Sequence, residues 1–169
     1  MVKKYGFIFI ISIIICVLQQ AIFSRIEILN IGFDSVFVFL ICFALLNNEI
    51  ESIVLAILCG LIRDSFFPYL FGINTVLYVA CVYCITLINK KIYKDSIIIP
   101  ISLTFAFSIV KGLTYFGYFY VSSIKFDFMK SALNIILFES LYNSIFSIFI
   151  YKFVKKTINS KIMKQDWNF

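Results

Sequence analysis

The sequence predicts an all-α integral membrane protein of six transmembrane helices, on three observations. Hydrophobic residues are 62% of the 169 and charged residues 14%, where a soluble domain has about 45–50% and about 25%. Lipid is the solvent such a chain fits. The apolar residues fall into six runs, each close to the roughly 20 residues that a spanning helix needs. Lysines collect at alternate ends of those runs, as basic residues do when they orient a membrane protein.

The first run, about 5–24, follows Lys3 and Lys4. It is long for a signal peptide and no A-x-A-like cleavage site follows; Gln19, Gln20 and Arg25 stand there instead. Bulky Ile14 and Ile15 before Cys16 argue against a lipoprotein site. A retained anchor is expected. The second run, about 31–47, has Asp34 near its start and Asn47-Asn48 at its end. The third, about 50–69, contains Arg63-Asp64, and the fourth, about 73–89, ends at Lys90-Lys91. The fifth, about 96–121, opens near Pro100 and contains Lys111. The sixth, about 131–151, contains Glu139 and ends in Lys152, Lys155 and Lys156. Short links place consecutive helices antiparallel and adjacent. The runs are too long for strands and lack their two-residue alternation. One multi-pass domain over 1–169 is expected, with 152–169 as a basic cytoplasmic tail.

Orientation follows from the basic residues. With the N-terminus inside, the inner side holds ten of them: Lys3, Lys4, Lys90, Lys91, Lys94, Lys152, Lys155, Lys156, Lys161 and Lys164. The outer side holds three, Arg25, Lys125 and Lys130. Both ends inside, with six spans, fits this asymmetry. Glu49 and Glu51 fall on the inner side at the second turn, but acidic residues count little in this rule.

The stretch Gly60 to Asn74 organises the rest. It places Arg63 and Asp64 inside an apolar run, turns through Pro68 and Gly72, and restarts an apolar segment at once. Proline ends or kinks the third helix, glycine permits the tight return, and Asn74 is placed to cap the fourth. A rise of about 1.5 Å per residue puts Arg63 and Asp64 roughly 17 Å from the inner edge of a core about 30 Å thick. Lys111 comes out roughly 15 Å below the outer end of its run and Glu139 roughly 13 Å below the start of its own. Asp34 lies nearer the outer surface. These five charges share one slab in the outer half, where intramembrane charge is costly. Two readings stand side by side. In one they only pair, Lys111 with Glu139 and Arg63 with Asp64, Asp34 or both, and so hold the helices in register. In the other they mark an outward-facing polar cavity or a docking site for a partner.

Several function classes find no support. The net charge of +6 is not arranged on an aromatic-interleaved face, so nucleic acid is not implied. The chain has no histidine, no G-x-S-x-G and no phosphate-binding glycine loop. Cys16, Cys42, Cys59, Cys81 and Cys84 all sit in apolar runs, where cysteine acts as a small apolar filler. No catalytic residue, metal or cofactor is implied. Tyr115, Phe116, Tyr118, Phe119 and Tyr120 fall near the outer end of the fifth run and read as an interfacial aromatic belt. Anionic lipid is the default partner of the basic tail.

Asp34, Gly60, Asp64, Gly72 and Asn74, with the basic turn Lys90, Lys91 and Lys94, resemble the pattern of the bacterial rod shape-determining protein MreD family. The resemblance covers roughly residues 5–150. It implies a non-enzymatic inner-membrane scaffold of the cell-elongation machinery that makes peptidoglycan. The partners it implies are the bitopic protein MreC, the actin-like MreB filament, and the elongation penicillin-binding protein with its RodA polymerase. It also implies a fold similar to the substrate-binding component of energy-coupling-factor vitamin transporters. That likeness supplies a rival expectation, capture of a small molecule in an outward-facing cavity.

Overall fold

The computed structural model describes residues 2–21, 27–28, 31–66, 71–89, 97–121 and 129–158. Pro68, Arg25, Lys125, the basic turn Lys90, Lys91 and Lys94, and the tail beyond Ile158 lie outside these residues.

Among the described residues six helices carry the fold: α1 (Val2–Ala21), α2 (Ser35–Leu46), α3 (Glu49–Phe66), α4 (Ile73–Asn89), α5 (Ile98–Val121) and α6 (Met129–Ile158). Between α1 and α2 stands a two-residue antiparallel ladder, β1 (Glu27–Ile28) with β2 (Ile31–Gly32), pairing Glu27 with Gly32 and Ile28 with Ile31. This corrects the expectation of a helix from 31 and of no strands. Asp34 is the reason. Its side chain accepts from the Phe37 backbone N–H at 3.1 Å, which caps the helix and fixes its start, so the residues before it are free to pair as strands.

Helix α2 is the centre. Every residue from Ser35 to Leu45 is buried, as expected of a helix that is apolar all round. It packs against all five other helices. The remaining helices form two antiparallel pairs, α3 with α4 and α5 with α6, and α1 lies on α3. Gly60 lets the first pair close. A Cβ built there would come 2.5 Å from the Thr75 Cα, so the two backbones touch where only glycine fits. Gly72, with φ +91°, makes the return into α4. Helix α3 starts at Glu49 and ends at Phe66, and α6 continues to Ile158, carrying Lys152, Lys155 and Lys156 on its last turns.

The outward faces are apolar: Ile10, Val17, Val76, Leu113 and Phe149 are among the large side chains left exposed. Helices α5 and α6 are long and apolar enough to cross a membrane by length and composition. The segments Ile8–Ala21, Ser35–Leu46 and Ile73–Asn89 are shorter apolar helices. Helix α2, with 12 residues, rises only about 18 Å.

Candidate functional site: a buried ion layer

Four of the five charges singled out in the sequence meet at the N-terminus of α2. Lys111 Nζ lies 2.5 Å from Asp34 Oδ2 and 2.7 Å from Glu139 Oε1. The Arg63 guanidinium lies 3.8 Å from the same Asp34 oxygen. Asp34 and Lys111 are buried, at 3% and 5% exposure. Arg63 and Glu139 are open at their edges, with side chains 19% and 21% exposed. Lys111 also stands 5.3 Å from the centre of the Phe37 ring and 6.0 Å from that of Tyr115, positions that favour a cation over an aromatic face. One lysine thus ties α2, α5 and α6 together, and the arginine adds α3. Such pairing lets charges be buried that would otherwise be too costly to desolvate.

Asp64 is elsewhere. Adjacent positions on a helix face different directions, so Arg63 turns to α2 while Asp64 turns to α4. Asp64 is fully buried and takes four donors. Its Oδ1 accepts from the Asn74 backbone N–H at 3.1 Å and from Asn74 Nδ2 at 2.9 Å. Its Oδ2 accepts from the Thr75 N–H at 3.1 Å and from Thr75 Oγ1 at 2.5 Å. Of the partners expected for Arg63, Asp34 lies within ion-pair distance, at 3.8 Å. Asn74 does not cap its own helix. It is the second residue of α4, and Asp64 caps that helix from α3, placing a carboxylate where the helix dipole is positive.

Six further polar residues complete the layer. Asn143 Oδ1 accepts from the Asp34 backbone N–H at 3.1 Å, and Asn143 Nδ2 donates to Ser108 Oγ at 3.1 Å. Gln19 reaches across from α1, donating to the Phe33 carbonyl at 2.8 Å and accepting from the Ser35 N–H at 2.7 Å and the Ser35 hydroxyl at 2.5 Å. Tyr115 donates its hydroxyl to Asn74 Oδ1, which joins α5 to the α3–α4 pair. Tyr115 is thus half-buried and turned inward, whereas Tyr120 is 73% exposed; the aromatic-belt reading does not hold for Tyr115. Gln19, Ser35, Thr75, Ser108, Tyr115 and Asn143 are uncharged, so a search for charges passes over them. The spacing Ser140, Asn143, Ser144, Ser147 on α6 was the available signal, a buried polar stripe at helical period.

Tyr78, fully buried on α4, sets its ring 5.7 Å from Phe37. Its hydroxyl has no hydrogen-bond partner among the described residues. No group of three or more His, Cys, Asp or Glu side chains able to hold a metal ion occurs among the described residues. The five cysteines are free thiols. The ion pairs of the layer tie α2, α3, α5 and α6 together.

The family model for rod shape-determining protein MreD matches residues 1–160. No match came from the curated proteins or from the solved structures. With nearly the whole length matched, the chain belongs to the MreD family of rod shape-determining proteins.

Proposed function

We propose that this chain is a six-span scaffold of the bacterial inner membrane, with both ends inside, that serves the cell-elongation machinery through helix–helix contacts and catalyses no reaction. The observation that carries this reading is the state of the buried charges. Asp34, Arg63, Lys111 and Glu139 bind one another, and Asp64 is filled by Asn74 and Thr75. Charges so engaged hold a rigid bundle, and a rigid bundle with apolar outer faces acts by what packs against it. We assign the α3–α4 hairpin, with Asp34 beside it, as the surface for a partner's membrane helix. The partners proposed are an MreC-like bitopic protein, the elongation penicillin-binding protein with its RodA polymerase, and an MreB-like filament on the inner side. Exposed Lys152 and Lys156 on the last turns of α6 suit anionic headgroups.

The test is affinity purification of the tagged chain from its host in mild detergent, with mass spectrometry for proteins and small molecules. The expected result is an MreC-like protein with cell-wall elongation proteins and no small molecule in stoichiometric amount. A coupling ATPase module with a bound vitamin-like compound overturns the scaffold reading in favour of the transporter component, which the comparisons do not support.

A further inference from the structure

Helix α6 turns two faces of different character. Ile136, Ser140, Asn143, Ser144, Ser147 and Tyr151 are buried and pack it into the bundle. On the other face Asn134, Phe138, Leu141 and Ile145 are exposed and Ile148 is half-buried. These residues stand alternately four and three apart along the chain, a mean step of about 3.5, which is the seam of two helices wound round one another. The step alone describes any helix face washed by lipid. Asn134 sets this one apart.

Between Lys130 and Lys152 the only charge on α6 is Glu139. That stretch rises about 33 Å, close to a hydrocarbon core of about 30 Å, and Asn134 falls about 5 Å inside its outer edge. The Asn134 amide makes no hydrogen bond among the described residues, unlike Asn143 on the buried face, which bonds Asp34 and Ser108. An amide left unbonded in hydrocarbon is costly, and asparagine in a spanning helix bonds across to another helix. An amide both donates and accepts, so it is complementary to itself. Copies of one chain insert in one orientation. A two-fold axis along the membrane normal then sets α6 against α6 in parallel, with both Asn134 side chains at one depth. Lys152 continues the spacing at the inner end. The seam stops there, because two lysines repel and reach for headgroups.

We infer that two copies of this chain pair through α6, with Asn134 of each bonded to Asn134 of the other and Phe138, Leu141, Ile145 and Ile148 packed along the seam. The partner on this surface is a second copy, which leaves the α3–α4 hairpin to the membrane helix of a different protein. The pairing depends on the six-span reading proposed above, since α6 must span and both copies must point the same way.

The test uses the full chain in host membranes, with Cys84→Ser to remove the exposed thiol. Phe138→Cys, Leu141→Cys and Ile145→Cys each place one thiol on the seam, and Val76→Cys, exposed on α4, is the control. Copper phenanthroline should link the three seam variants into dimers and leave the control a monomer. Dimer affinity is then read by energy transfer between fluorescently tagged copies in vesicles of phosphatidylethanolamine and phosphatidylglycerol. Asn134 is exposed, so a change there leaves the packed interior alone. Asn134→Leu should weaken the dimer about tenfold, and Asn134→Gln should keep most of the affinity. Monomers throughout mean that lipid covers this face, and overturn the inference. So does a dimer linked through Val76→Cys, a seam cysteine linked to a different protein, or an Asn134→Leu dimer as tight as the unmodified one. Release of the chain from membranes by carbonate would overturn the membrane reading and the pairing with it. Loss of the dimer alone leaves the outcome of the affinity purification above unchanged, so the scaffold reading stands or falls separately.

Discussion

Lys111 Nζ sits 2.5 Å from Asp34 Oδ2, joining the middle of α5 to the capping residue of the central helix. Both groups are buried. Removing the cation leaves Asp34 with Arg63 at 3.8 Å and leaves Glu139 without its ammonium partner. Breaking a buried pair from one side costs about 3–5 kcal/mol. Lys111→Met should therefore lower the detergent melting temperature sharply. Glu139→Gln should cost less, because Glu139 is partly exposed and Lys111 keeps Asp34. The check is thermal unfolding of the three proteins side by side; a Lys111→Met protein that melts with the unmodified one would refute the bridging role.

Asp64 gathers four donors from the first turn of α4. Asp64→Ala leaves them unsatisfied in a buried site, at about 1–3 kcal/mol for each group left without a partner. The hairpin should loosen where the cap is lost. Amide hydrogen exchange at Asn74 and Thr75 should accelerate, while the α5–α6 pair keeps its protection. Unchanged exchange at those two amides would show that another group caps α4.

How much of this was legible in the sequence depends on how a residue contrasts with its surroundings. Asp34, Arg63, Lys111 and Glu139 stand out because each is a charge in an apolar run, and depth counting brings Lys111 to Glu139 correctly. For Arg63 the sequence leaves Asp64, Asp34 or both open, and Asp34 lies within ion-pair reach; the Asn74 and Thr75 donors of Asp64 are not legible, because they depend on how α4 packs on α3. The start of α2 was misplaced because Ile31 to Phe33 are as compatible with a helix as Val36 to Phe39; only the cap at Asp34 separates them. Gln19 and Asn143 carry the geometry of the layer through amide hydrogen bonds, and an amide contrasts with an apolar run less than a charge does. Residues 31–47 are apolar almost throughout, so periodicity could not show that α2 is central and short. That follows from which helices enclose it.

Gly60 and Gly112 both sit at helix contacts, yet they should respond differently to an added methyl. At Gly60 the new Cβ meets the Thr75 Cα at 2.5 Å. Backbone cannot yield there without separating α3 from α4, so overpacking of about 1–3 kcal/mol or more is expected. At Gly112 the neighbours are Ile136 Cγ1 and Cγ2, both at 2.8 Å. A side chain can turn aside or be trimmed. Gly60→Ala should lower the melting temperature more than Gly112→Ala, and Ile136→Val should recover part of the loss at Gly112 but none at Gly60. Equal losses, or rescue at Gly60, would contradict the backbone contact.

Tyr78 and Tyr115 test whether polar satisfaction governs the interior. Both rings lie beside the ion layer, Tyr78 5.7 Å from Phe37 and Tyr115 with its centre 6.0 Å from Lys111. The Tyr115 hydroxyl donates to Asn74, whereas the Tyr78 hydroxyl has no partner among the described residues. A buried hydroxyl without a partner costs free energy that phenylalanine does not incur. Tyr78→Phe should be neutral or stabilising by about 1 kcal/mol, and Tyr115→Phe destabilising by about 1 kcal/mol through the loss of the link between α5 and α4. The measurement is the melting temperature of each single variant and of the double. The two hydroxyls share no hydrogen-bond partner, so the effects should add. If Tyr78→Phe destabilised as much as Tyr115→Phe, the Tyr78 hydroxyl would have to bind a group beyond the described residues, and the interior would be more polar than the ion layer alone accounts for.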